Sequence, residues 1–258
     1  MNSKLLSPLL YGLGLACFSI STIAAESVSP VSTIPDFTAK YNIVHDGDIV
    51  GKAERTLKNL PDGSFDFNYK TDIEWLIFSD HRRETTTNKI VDGKVIPLTY
   101  KSDREGTGKD KFYHWQFDQA NKTAYNLKKK KKPMKGEWVD GLQSKLSYHL
   151  QSRLNLINGV KDFNFKALST SGGISTYNYE YIGKEELMLP FGVIDAIKLR
   201  RKKPNTKQVT YAWFAPRLNY LMVKLHQIES DFQQFQAELV SIESASNDSD
   251  STVISKGN

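Results

Sequence analysis

The sequence predicts a mainly β protein: a strongly curved antiparallel sheet or partly open barrel of roughly a dozen strands, with one packed α-helix at about residues 140–158. Three observations predict it. Apolar residues alternate with period two along most of the chain from Phe37 onward. Turn signals built on Gly, Asn, Asp and Pro interrupt these runs at close spacing. Only the segment from Asp140 to Asn158 changes to a helical period. So many strands do not lie comfortably in one flat sheet, because twist accumulates until the sheet curls or closes. An edge left open needs protection, which lysine or proline supplies.

The elements follow in order. Phe37, Ala39, Tyr41 and Ile43 share one face of a first strand, and His45-Asp46-Gly47-Asp48 turns it into a second over Ile49 to Leu57. Asn59-Leu-Pro-Asp-Gly63 is the next turn, after which Phe65, Phe67 and Tyr69 alternate. Val91 to Lys94, Glu105 to Gly108 and Asp118 to Asn121 mark further hairpins. In DGLQSKLSYHLQSRLNLIN, Leu142, Leu146, Leu150, Leu154 and Ile157 step by four and three along one stripe. Asp140 is placed to cap that helix, and Asn158-Gly159 to end it. Strands resume at Asp162 to Leu168, Ile174 to Ile182, Val193 to Arg201, Val209 to Ala215, Tyr220 to Ile228 and Phe232 to Val240.

The chain begins MNSKLLSPLLYGLGLACFSISTIAAES: one lysine, an uncharged apolar run from Leu5 to Phe18, then small residues to Ala25. That order is a cleavable signal peptide over residues 1–25, and the apolar run is shorter than the ~20 residues of a membrane-spanning helix. The expected location is therefore periplasmic. Gly14-Leu-Ala-Cys17 is a weaker candidate for lipoprotein processing, since an aliphatic residue is usual where Gly14 stands. Cys17 is the only cysteine. Once the leader is removed the chain has no disulfide, thiol nucleophile or cysteine-ligated metal. Residues 26–34 read as a linker, 35–243 as one β-rich domain, and the serine-rich 244–258 as a disordered tail. No later segment is long and apolar enough to span a membrane.

The formal net charge is +6, or +5 once Lys4 leaves with the leader. The run Lys128, Lys129, Lys130, Lys131 and Lys132 is thus a local feature. Export removes the chain from nucleic acid, and no aromatic residues interleave with these lysines to stack on bases, so nucleic acid is not an expected partner. The run reads first as a solvated hairpin tip or protected edge, and second as a contact for an anionic envelope partner such as lipid, lipopolysaccharide or an acidic cell-wall polymer. A second basic group, Arg200, Arg201, Lys202 and Lys203, has the same form of strand, basic tip and strand.

Five histidines are scattered without an H-E-x-x-H pair, so no metal site is expected. There is no G-x-S-x-G elbow and no glycine-rich phosphate loop, so no catalytic residues are assigned and no cofactor is expected. The aromatic strands carry the remaining signal. Trp75, Phe78, Trp115, Tyr211 and Trp213 either fill the core or line a cavity for a hydrophobic chain. Trp75-Leu-Ile-Phe78 is the most apolar short run and reads as a cavity wall or a lip that contacts membrane.

Three stretches, FTAKYNIVHDGDIVGKAERTL, WVDGLQSKLSYHLQSRL and IDAIKLRRKKPNTKQVTYAWFAPRLNYLMVKL, resemble exported bacterial proteins of domain-of-unknown-function family 3108. The resemblance spans Ile34 to Ile242 and rests on Gly47 and Gly51, on Asp140, and on Trp213 before Pro216. It implies an envelope protein with a curved β-sheet and transfers no activity. The expected function is non-enzymatic binding of an amphiphilic or anionic envelope component. The alternatives are an envelope hydrolase without a recognisable motif, and a structural envelope protein with a filled core and a protein partner.

Overall fold

The computed structural model describes residues 33–202, 207–229, 232–244 and 253–254. The leader, most of the linker, Lys203 and most of the serine-rich tail lie outside the described residues. Three residues of those outer segments are nonetheless part of the fold. Ile34, in the expected linker, is 3% exposed and joins the core, and Val253–Ile254 pairs with Ile242 and Glu243.

The strands form one antiparallel meander that turns back on itself. They are β1 (Phe37–His45), β2 (Asp48–Asn59), β3 (Phe65–Trp75), β4 (Phe78–Val91), β5 (Lys94–Gly106), β6 (Lys111–Asp118), β7 (Thr123–Asn126) and β8 (Lys132–Pro133). After the helix α1 (Ser147–Ile157) come β9 (Phe163–Leu168), β10 (Ile174–Leu189), β11 (Gly192–Lys202), β12 (Gln208–Ala215), β13 (Leu221–Glu229), β14 (Phe232–Ser244) and β15 (Val253–Ile254). The order across the sheet is β8-β7-β6-β5-β4-β3-β2-β1-β14-β13-β12-β11-β10-β9, with β15 on β14. The first and last long strands, β1 and β14, are thus neighbours at the centre, and β8 and β9 are the edges.

Period-two burial gives the sheet one apolar, inward face. On β1, Phe37, Ala39, Tyr41 and Ile43 are buried while the residues between them are half-buried or exposed. Asp46 and Gly47 both take left-handed backbone (φ 47° and 92°) in the tight β1–β2 turn. Gly51 serves differently: a Cβ there would lie 2.3 Å from the Asp72 carbonyl oxygen, so β2 and β3 approach only because it has none. β10 runs seven residues past the expected Ile182, with a register shift between Tyr181 and Gly183 that hides its continuation from a period-two reading.

The two edges meet at a seam closed by loop and side-chain contacts. Met134 N donates to Ala124 O at 2.8 Å, Lys135 N to Gly172 O at 2.8 Å, and Gln143 N to Lys166 O at 2.9 Å. The segment between β8 and α1 therefore stitches the β7 arm to the β9 arm. Trp115 Nε1 adds a bond to Thr170 O at 3.1 Å.

α1 lies in the concavity and differs from its expected form. It begins at Ser147, not near Asp140, and Asp140 is a surface residue 3.5 Å from the Lys122 ammonium. Leu142 and Leu146 are buried ahead of the helix, so they prolong its apolar stripe without belonging to it. The start is fixed by Ser144, whose Oγ accepts from Ser147 N at 2.9 Å while its own N donates to Ser147 Oγ at 2.8 Å. Leu146, Leu150 and Leu154 pack into one core cluster with Phe67 and Tyr100; Tyr148 and Leu156 pack into a second with Phe165, Tyr177 and Tyr179.

A helix covered on both sides must satisfy its polar groups inside the protein. Gln151 Oε1 accepts from Val95 N at 2.7 Å, and Gln143 Nε2 donates to Val95 O at 2.9 Å. Arg153 Nε donates to Asn219 O at 2.7 Å. Val95 opens β5 beside the β4–β5 turn and Asn219 lies in the β12–β13 connection, so the helix closes that end of the barrel. The opposite end, bounded by the β1–β2, β3–β4 and β5–β6 turns, stays open among the described residues. No helix among the described residues is long and apolar enough to cross a membrane.

Candidate functional site

A cavity of about 660 Å³ opens at the unplugged end, inside the curve of the sheet. Alternation along β3 to β6 aims its side chains: Tyr69, Thr71 and Ile73 from β3, Phe78, Asp80, Arg82 and Glu84 from β4, Ser102 and Arg104 from β5, Lys111 and Tyr113 from β6. Lys145 reaches it from the segment before α1, and Leu225 and Phe235 from β13 and β14.

Asp80 organises the wall. Its Oδ1 accepts from Arg82 Nε at 2.6 Å, and its Oδ2 accepts from Arg82 Nη2 and from Arg104 Nε, each at 3.0 Å. Burial opposes ionisation, since the side chain is only 6% exposed, but the two guanidinium groups outweigh it and hold the carboxyl below its usual range. Arg104 also donates to Thr107 O at 2.9 Å, which ties the β5–β6 rim to the cavity wall. Deeper in, Glu84 Oε2 accepts from the Tyr100 hydroxyl at 2.6 Å. Burial, then the Glu84 charge, pushes that hydroxyl well above its ordinary pKa, so it remains a donor.

Both carboxylates facing the cavity are thereby engaged. Around them stand Arg82, Arg104, Lys111 and Lys145, four cations against two anions, so the lining carries an excess of two positive charges. Such a lining attracts an anion. Among the described residues no group of three or more His, Cys, Asp and Glu is placed to hold a metal ion.

The five aromatic residues expected at a cavity separate. Phe78 lines it, facing the Phe235 ring at 6.4 Å. Trp75 stands at the rim, 38% exposed, its ring 4.3 Å from His45. Trp115 is 3% exposed and belongs to the core beside the seam. Trp213 is 4% exposed, donates to Glu185 Oε2 at 2.9 Å, and has the Lys198 and Lys224 ammonium groups over its ring at 4.9 and 5.6 Å. Tyr211 lies beside it, also under Lys198.

The basic segments lie on opposite arms of the sheet: Lys128 to Lys132 at the β8 edge, and Arg200 to Lys202 on β11, the third strand from the β9 edge. Asn126 Oδ1 accepts from Lys128 N and Lys129 N and shapes a single 3₁₀ turn; Lys130 and Lys131 are left-handed, and Lys132–Pro133 is the edge strand itself. All five lysines are exposed, with Lys128 Nζ 4.4 Å above the Phe112 ring. Arg200 is engaged by Glu180 at 2.7 Å. Arg201 turns inward, donating to the Tyr148 hydroxyl at 2.7 Å and to Thr210 Oγ1 at 2.9 Å. Half-buried, it packs against the second core cluster, its guanidinium 5.0 Å from the Tyr177 ring centre.

The residues that make the cavity, Asp80, Arg82, Glu84, Arg104, Lys111 and Lys145, were not singled out from sequence. A signal was present. In SDHRRETTTNKI, the buried Thr86 and Asn88 continue the phase of Asp80, Arg82 and Glu84, so those charges sit on the inward face.

No curated protein matches the sequence. Among solved structures, the fold is similar to a beta-barrel-like protein of the domain of unknown function DUF1849 from Brucella abortus. The TM-score is 0.55 at 8% identity, over 84% of this chain and 100% of that one. A protein with a YmcC-like fold from Bacteroides fragilis aligns with a TM-score of 0.33 and 11% identity over 82% of this chain and 97% of its own, a score too low to bear on the fold. The model of the family described as protein of unknown function (DUF3108) matches residues 38–240, and the chain, whose curved sheet those residues build, belongs to that family.

Proposed function

We propose that the protein is a non-enzymatic, periplasmic binding protein whose open-end cavity takes the anionic head of an envelope amphiphile, a phosphate or carboxylate group joined to an apolar chain. The observation that carries this reading is the excess of cations over carboxylates around the cavity, with Ile73, Phe78 and Phe235 on the same wall for the apolar part. The leader sequence MNSKLLSPLLYGLGLACFSISTIAA supports the location.

The site differs in kind from the aromatic-lined concavity expected from sequence. In this reading the head group meets charges inside the cavity. A hydrolytic reading finds less support: Asp80 is held ionised by two guanidinium groups, so it is not poised as a proton donor at neutral pH, and Glu84 is already bonded to the Tyr100 hydroxyl. A filled, purely structural core is opposed by the open volume itself.

Native mass spectrometry of the chain purified from its own periplasm under gentle conditions tests the proposal. A retained extra mass that leaves on delipidation supports it. A clean mass that stays clean after incubation with single-chain anionic amphiphiles overturns it.

A further inference from the structure

The rim of the open end presents apolar surface that none of the described residues covers. At the β3–β4 hairpin tip Leu76 is 87% and Ile77 98% exposed, and Ile49 at the neighbouring β1–β2 hairpin is 63% exposed. Tight hairpin tips ordinarily use Gly, Asn or Asp, which take left-handed backbone or hydrogen-bond locally. Here a leucine occupies the left-handed region, with φ 55°. The tip is thus unfavourable to the isolated protein twice over, through backbone strain and through large aliphatic side chains in water.

The tip is also held in place. Thr107 N donates to Ser79 O at 2.8 Å, Ser79 N donates to Thr107 Oγ1 at 2.9 Å, and Thr107 Oγ1 donates to Ile77 O at 3.3 Å. Just below, the Trp75 indole packs against His45. A fixed pair of protruding aliphatic residues above an indole suits a lipid interface, where aliphatic chains enter the apolar layer and indoles rest at headgroup level. It suits a protein partner poorly. Two residues at a protruding tip cover far less than the ~800 Å² per partner of a stable protein interface.

We propose that the open end docks transiently on a lipid bilayer, with Leu76 and Ile77 entering the apolar layer and Trp75 at the interface, so that the cavity mouth faces the membrane. This deepens the reading of the cavity as an amphiphile site, and the two are testable apart. Docking by so few side chains is weak and reversible, as exchange with a membrane requires.

The test uses the chain without residues 1–25 and phosphatidylcholine vesicles containing lipids brominated on their acyl chains. The wild type is expected to co-sediment with the vesicles and to lose tryptophan fluorescence to the bromines. Trp75→Phe should abolish that quenching and retain most co-sedimentation. Leu76→Gly with Ile77→Ser, which places glycine at the left-handed position and so preserves the turn, should lower partitioning on the order of tenfold or more per side chain removed. A melting temperature equal to wild type or higher excludes misfolding as the cause. Equal partitioning of wild type and tip variant, or no partitioning of either, overturns the proposal. Uptake of monomeric dodecyl phosphate, measured without vesicles, reports on the cavity alone. If uptake survives without tip-dependent partitioning, docking falls and the cavity reading stands. If partitioning is tip-dependent and uptake is absent, docking stands and the cavity reading falls.

Discussion

Asp80 and Arg104 are joined across the β4–β5 ladder in the cavity wall, Oδ2 to Nε at 3.0 Å, with Arg82 on the same carboxylate. One buried anion therefore fixes two of the four cations that face the cavity.

Replacing Asp80 with Asn should cost about 1–2 kcal/mol, the lower part of the range for hydrogen bonds to charged groups, because Arg82 is half exposed and solvent screens it. The pH dependence has a definite sign. The folded carboxyl titrates below its unfolded value near ~4, so its contribution is present above that value and is lost as pH falls through the folded value. Acid melts of the wild type should show this loss, and Asp80→Asn should lack that component. Identical acid profiles would mean that the pair does not stabilise the fold.

Gly51→Ala should destabilise by about 3 kcal/mol, at the upper end of overpacking, because the added Cβ meets the backbone of Asp72 and Ile73 at 2.3 and 2.9 Å. A denaturant titration reads this directly. The Gly47 and Gly51 pair is thus a structural signature of the first hairpin, with no ligand role required.

Tyr148→Phe removes the hydroxyl that accepts from Arg201 at 2.7 Å. The expected loss is about 1–2 kcal/mol, or roughly 2–8 °C in melting temperature for a domain of this size. Uptake at the open-end cavity should not change, since neither residue lines it.

Substituting Lys128 to Lys132 with Ser should leave stability within about 0.5 kcal/mol, since all five side chains are exposed. Binding to anionic vesicles should weaken at low salt only. A fall in melting temperature would give the run a structural role that its exposure does not show.

Which features were legible in the sequence follows from where each one's partners lie. β1 and its turn into β2 were readable because period-two burial and the Asp46-Gly47 turn are encoded within a few residues. The start of α1 was not, because Leu142 and Leu146 continue the helical stripe while Ser144, buried and bonded to Thr86 at 3.1 Å, sets the boundary from inside. Gln151 and Gln143 are buried polar residues whose partner, Val95, lies about fifty residues earlier, so no local pattern marks them as core. The cavity was missed for a related reason. A charged residue on a strand reads as solvent-facing, and the inward phase of Asp80, Arg82 and Glu84 appears only when they are counted from Thr86 and Asn88. Arg201 follows the same rule: it keeps the phase of the buried Ile197 and Leu199, while a run of four basic residues reads as solvent-facing throughout.

The most direct test of the central claim is a titration of the chain lacking residues 1–25 with monomeric dodecyl phosphate and, separately, with an uncharged single-chain amphiphile of the same length. One-to-one binding of the anion is expected, weakened by salt and by Lys111→Ser with Lys145→Ser, with much weaker binding of the neutral compound. Equal binding of both amphiphiles, or anion binding indifferent to Lys111 and Lys145, would contradict it.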